Sequence, residues 1–144
     1  MNVVDANVLI LAHRQDLEHH DLWRDWLDLA RTSDETLGVP GHSIAGFVRI
    51  VTNVRAFARP STIDEAIGFV DGLLESSAVR RAEPGPRHWQ LFTDLCRRAS
   101  ATGKLVPDAW LAALALENRA TLITADRGFG RYPGLMWRDP IADA

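Results

Sequence analysis

Short apolar runs alternate with amphipathic stretches along all 144 residues, and that alternation constrains the fold more than any other feature. Met1–Val4, Leu37–Val39 (ended by Pro40), Val79–Arg81, Thr121–Thr124 and Leu135–Trp137 are too brief for helices and apolar enough for buried strands. Between them, Asn7–His13 continues apolar and begins a helix. Asp16–Arg31 carries Leu17, Trp23, Trp26, Leu27 and Ala30 as an apolar stripe, with Glu18, Arg24, Asp25 and Asp28 elsewhere. Ser43–Thr52 places Ile44, Phe47, Val48 and Val51 at helical spacing. Ser61-Thr62-Ile63-Asp64-Glu65 offers a hydroxyl cap followed by first-turn acids, and starts a helix that runs to about Glu75. Arg87–Ala101, stopped near Gly103, and the Ala-rich Asp108–Asn118 complete the helices. The order βα, βαα, βαα, βα, β predicts an α/β fold. It is a three-layer α/β/α sandwich on a mainly parallel central sheet, with residues 1–144 forming one domain.

Composition closes several alternatives. The chain is 47% hydrophobic and 24% charged, as globular proteins are. Cys96 is the only cysteine, which excludes disulfide frameworks and cysteine zinc sites within the chain. The opening apolar stretch reaches Asp5 without a basic leader, and no apolar run approaches the ~20 residues that span a bilayer. No membrane association and a cytoplasmic location are therefore expected. The net charge of −3 and pI near 5.9 argue against nucleic-acid binding by bulk electrostatics, though not against local recognition. The 16 basic residues include a single lysine, Lys104. A GC-rich genome accounts for that bias, and pairs such as Arg80-Arg81 and Arg97-Arg98 either lie in solvent or reach phosphates.

Three aspartates carry the chemistry. Asp5 and Asp126 each follow a strand, and Asp108 opens a helix just after Pro107. In an open parallel sheet, sites form where strands end and helices begin. Three carboxylates brought together repel one another, and a hard divalent cation relieves that conflict while leaving positions open for a phosphate and an acidified water. Each acid also has a plainer explanation, with Asp108 as a helix cap and Asp126 as a turn residue. Asp5, with Asn7 two residues on, is the hardest to explain that way.

These segments resemble the PIN-domain ribonucleases, and specifically the VapC-type toxins of bacterial toxin–antitoxin pairs. Val3-Val4-Asp5-Ala6-Asn7-Val8-Leu9 resembles their opening. Gly46-Phe47-Val48-Arg49-Ile50-Val51-Thr52-Asn53 with Arg55-Ala56-Phe57 resembles the middle helix of the actinobacterial branch. Asp108 to Ala115 and Thr121 to Phe129 resemble the later acidic segments, and Gly134-Leu135-Met136-Trp137 with Asp139-Pro140 the end. The resemblance implies a Mg²⁺- or Mn²⁺-dependent endoribonuclease, a homodimer, and a cognate VapB-type antitoxin. That partner is expected to lay an apolar segment between early helices and push a basic side chain toward the acids. Asp5, Asp108 and Asp126 carry over as catalytic metal-site acids, with Asp5 and Asp108 as principal ligands. Thr124, Asn7 and Ser43 stand as supporting residues around them, and His42 as a further residue lining the site.

Two positions depart from the pattern. Many PIN domains have a glutamate in the middle helix, where this chain has Gly46. Many have a further aspartate where it has Gly128. The alternative is therefore a PIN fold that binds antitoxin or RNA without cleaving. An aspartyl phosphatase with Asp5 as nucleophile would want a second acid at position 7, where Asn7 stands. Glu117 lies nine residues after Asp108, on the opposite side of the helix at about 100° per residue. His13, His19 and His20 lack zincin spacing. Ala101-Thr102-Gly103-Lys104 lacks the first glycine of a phosphate loop, and Leu105 follows where Ser or Thr is needed. The tryptophans at apolar helix positions and Cys96 are expected to pack rather than react.

Overall fold

The computed structural model describes residues 1–144 and contains five strands in one parallel sheet, ordered β3-β2-β1-β4-β5. The strands are β1 (Asn2–Val4), β2 (Leu37–Pro40), β3 (Val79–Ala82), β4 (Thr121–Ile123) and β5 (Trp137–Arg138). The helices are α1 (Ala6–His13), α2 (His20–Ala30), α3 (Gly41–Val51), α4 (Ile63–Leu74), α5 (His88–Arg98) and α6 (Val106–Glu117). No helix is long and apolar enough to cross a membrane.

The strand period of two sorts the core into two halves. Val4, Val39 and Ile123 face one side and pack against α1 to α4, around Leu9, Phe47 and Leu73. Val3 and Leu122 face the other, against Leu95 of α5 and Leu111 and Leu114 of α6. The expected three layers follow.

Several boundaries differ from the sequence expectation, each for a local reason. The helix expected from Asp16 begins at His20, because His19 adopts a left-handed backbone with φ 62°. Just before it, Arg14 is drawn out of the helical path. Its guanidinium binds Asp16 through Nε and Nη2 at 2.8 and 2.6 Å and the Arg59 carbonyl through Nη1 at 2.9 Å. The helix expected to reach Ala101 ends at Arg98, where left-handed Ser100 lets the Ala101 N–H close on the Cys96 carbonyl. The last strand shifts to Trp137–Arg138 because the turn through Gly134, at φ 79°, delays pairing. The first crossover holds two helices, and the last holds only a 3-10 turn at Arg127–Arg131. At α4 the sequence signal holds in detail, with the reciprocal capping box between Thr62 and Glu65 formed.

Ser43 neither caps α3, whose cap is Pro40, nor touches the carboxylates. It is fully buried and donates to the Val4 carbonyl at 2.8 Å, tying α3 to the end of the central strand. Ser43→Ala removes that bond from a buried carbonyl and is expected to lower unfolding stability by about 1–2 kcal/mol, read by chemical denaturation.

Candidate active site at the carboxyl edge of the sheet

From β1 the chain winds outward through β2 to β3, then returns to the other side of β1 as β4. The carboxyl ends of β1 and β4 thus form the crevice where open parallel sheets hold ligands. β1 and β4 pair in register as Asn2↔Thr121, Val3↔Leu122 and Val4↔Ile123, and the Asp5 N–H extends the ladder to the Ile123 carbonyl at 3.0 Å. Asp5 follows β1 and caps α1, while Thr124 and Asp126 follow β4.

A closed hydrogen-bond ring joins these two strand ends. Asp5 Oδ1 accepts from the Ala6 N–H at 2.7 Å. Asp5 Oδ2 accepts from the Thr124 hydroxyl at 2.8 Å and from Asn7 Nδ2 at 3.0 Å. Thr124, fully buried, accepts in turn from the Asp126 N–H at 3.0 Å and from Asn7 Nδ2 at 3.1 Å. The Asn7 side-chain oxygen Oδ1 accepts from the Ala125 N–H at 3.2 Å. Thr124 and Asn7 therefore hold the Asp5 carboxylate in one orientation.

Asp108 arrives from α6. The expected capping role does not hold, because the helix begins two residues earlier at Val106, with Leu105 as a cap that makes no side-chain bond. Asp108 sits instead in the first turn, half-buried, where the helix dipole favours a carboxylate. Asp126 does make the turn bond expected of it, accepting from the Gly128 N–H at 2.8 Å and capping the 3-10 turn.

The electrostatics record the convergence. Burial raises the Asp5 carboxyl from 3.8 to about 6. Its bonds from Thr124 and Ala6 oppose the rise, and the charges of Asp108 and Asp126 add to it. Asp108 is also raised, by burial first and by Asp126 next, with Arg131 acting the other way. The three acids thus share one electrostatic neighbourhood, although no three His, Cys, Asp or Glu side chains are gathered closely enough to hold a metal among them. An all-oxygen donor set of mutually repelling carboxylates fits a hard divalent cation that keeps several waters and takes one or two protein carboxylates directly.

The two glycine departures both border this site. A Cβ on Gly46 would meet the Ala6 Cβ at 3.3 Å, one residue from Asp5. A Cβ on Gly128 would meet Asp126 Oδ1 at 2.9 Å and Arg131 Nη2 at 3.0 Å. Arg131 escaped the sequence reading, since one arginine among many carries no positional signal. Other residues lie elsewhere. Glu117 accepts the Gly85 and Arg87 N–H groups at 2.7 and 2.8 Å. His13 pairs with Ser61 at 2.9 Å, and His20 with the Leu11 carbonyl at 2.8 Å. His42, on the first turn of α3, is held below the ordinary histidine range by burial and by His88, and none of the three acids acts on it. Cys96 is half-buried against the α5–α6 core. Trp23 and Trp26 pack as expected, whereas Trp89 is 68% exposed.

Such a site, on such a sheet, defines an α/β protein that gathers three acids at its topological switch point. The PIN domain model matches residues 3–135. Ribonuclease VapC43 of Mycobacterium tuberculosis is 47% identical over 141 residues, covering 98% of this chain and 96% of that protein. Ribonuclease VapC31 of the same species is 40% identical over 132 residues, covering 92% and 93%. Among solved structures, VapBC2 from Rickettsia felis bound to a promoter DNA fragment aligns with a TM-score of 0.72 at 18% identity, covering 95% of this chain and 96% of that one. This chain belongs to the PIN domain family.

The raised Asp5 carboxyl has a consequence for stability. The folded protein holds the proton more tightly than the unfolded chain, so stability contributed by protonated Asp5 is full below about pH 4 and lost as pH rises through about 6. The difference is roughly 3 kcal/mol. Asp5→Asn is expected to abolish that dependence and to be more stable than the wild type at pH 7.5 in EDTA, as denaturation at pH 4.5 and 7.5 will read.

Proposed function

We propose that this chain is a divalent-metal-dependent endoribonuclease acting as the toxin of a toxin–antitoxin pair. The observation that carries the reading is the convergence of Asp5, Asp108 and Asp126, drawn from three distant stretches of chain, onto one electrostatically strained edge of the sheet. The identity with proteins named ribonucleases supports RNA as the substrate. A VapB-type antitoxin is the partner this reading implies, in keeping with the VapBC complexes among the fold's neighbours. Homodimerisation and a cytoplasmic location belong to the same reading.

Asp5 and Asp108 would be the principal holders of Mg²⁺ or Mn²⁺, with Asp126 as the third acid of the metal site. Bound there, the ion supplies charge neutralisation, polarisation of a phosphate oxygen and acidification of the attacking water. Thr124 and Asn7 keep one Asp5 oxygen fixed, so that the carboxylate meets its cation without reorganising. Attack by water rather than by the ribose 2′-hydroxyl leaves a 5′-phosphate and a 3′-hydroxyl.

A second reading, binding without cleavage, is favoured by Gly46 and Gly128 at the site's border and by the lack of a closed three-ligand cluster. Cleavage of RNA by the purified protein in Mg²⁺, Mn²⁺ or EDTA separates the two. Metal-dependent cleavage that falls more than about 100-fold in Asp5→Asn and Asp108→Asn supports the nuclease, since partners around metal ligands alone cost about 10–100-fold. A cyclic-phosphate product sinks the mechanism. Absence of both cleavage and metal-induced thermal stabilisation selects the binding protein.

A further inference from the structure

We propose that Arg131 is the second cationic centre of this site, binding the scissile phosphate where a second metal ion would otherwise stand; the inference rests on the nuclease reading above. Arg131 closes the 3-10 turn after Asp126 and folds back on it, its Nε donating to the Gly128 carbonyl at 2.8 Å. That bond anchors the base of the guanidinium and leaves Nη1 and Nη2 without a protein partner. Neither Asp108 nor Asp126 forms an ion pair with it, yet its charge acts on Asp108. Such a fork, tethered but not neutralised, is suited to bidentate contact with phosphate oxygens.

Gly128 is what makes the arrangement possible. The point where its Cβ would stand is 3.0 Å from Arg131 Nη2 and 2.9 Å from Asp126 Oδ1. Any side chain at 128 must displace one of them. An aspartate there would add a ligand and push the guanidinium away. With glycine, the guanidinium occupies the edge of the acid cluster, and a second divalent ion meets a resident positive charge and one acid fewer. Arginine, which cannot lose its proton, holds that charge at every working pH. A fixed donor aimed at charge that develops in the transition state is the kind of group whose loss slows turnover about 100-fold or more.

The test pairs Mn²⁺ titration of the full chain without RNA, read by electron paramagnetic resonance, with steady-state RNA cleavage. Wild type is expected to bind one Mn²⁺. Arg131→Gln should still bind one, about threefold more tightly because a repelling charge is gone, while kcat falls about 100-fold. Arg131→Lys, which restores charge without the fork, should recover part of that loss. Gly128→Asp should bind two ions. Two Mn²⁺ in the wild type, weaker Mn²⁺ binding in Arg131→Gln, or unchanged cleavage in that variant would each overturn the proposal. A wild type that neither binds Mn²⁺ nor cleaves RNA overturns the nuclease reading, and this inference with it. Wild-type metal binding and cleavage with an indifferent Arg131→Gln overturns this inference alone.

Discussion

The parallel pairing of β1 with β4 is the contact on which the rest of the site depends. It is only three residues long, yet it brings together strands more than a hundred residues apart and continues one step further, through the Asp5 N–H to Ile123. In that register Thr124 lies beside Asp5, and its hydroxyl reaches the carboxylate. A slip of one residue would turn Val3 and Val4 to the wrong halves of the core and point Asp5 away from Thr124. Register, core and site are therefore specified by the same pairing.

The fold places negative charge where isolated stability would not. Asp5 is desolvated and repelled by two other acids, and its three accepted hydrogen bonds only partly compensate. Groups held in that state are typical of sites whose strain a ligand relieves. The surrounding helices contribute, since Asp5 and Asp108 both occupy the N-terminal turns of helices, where a carboxylate is favoured. On the proposed reading, a metal ion and the unpaired guanidinium of Arg131 supply the missing positive charge from two sides.

Much of the fold was legible because its signals are local. The Thr62–Glu65 capping box, the apolar stripe of α3 and the first four apolar strands each report on their own few residues, and each appears within a residue of where the sequence places it, while the fifth strand moves on to Trp137–Arg138. Boundaries set by side chains from elsewhere were not legible. The delayed start of α2 follows a turn in which Arg14 is clamped to Asp16 and to the Arg59 carbonyl, and the early end of α5 turns on a left-handed serine rather than on Gly103. Ser43 showed the same limit. Its position on a helix was clear, but its bond to Val4 depends on how α3 packs against β1.

The sequence by itself determined the alternation of strands and helices, and with it a parallel sheet whose carboxyl edge carries acids. Periodicity and cap chemistry are properties of neighbouring residues, and Asp5, Asp108 and Asp126 stand beside those signals. Only the tertiary structure decided that Asn7 and Thr124 share one oxygen of Asp5 and that Asp108 is free of capping duty. It also placed Arg131 in the space that Gly128 leaves. Those relations are distances between segments far apart in the chain. They are set by the order in which strands join the sheet and by which helix packs over which strand end.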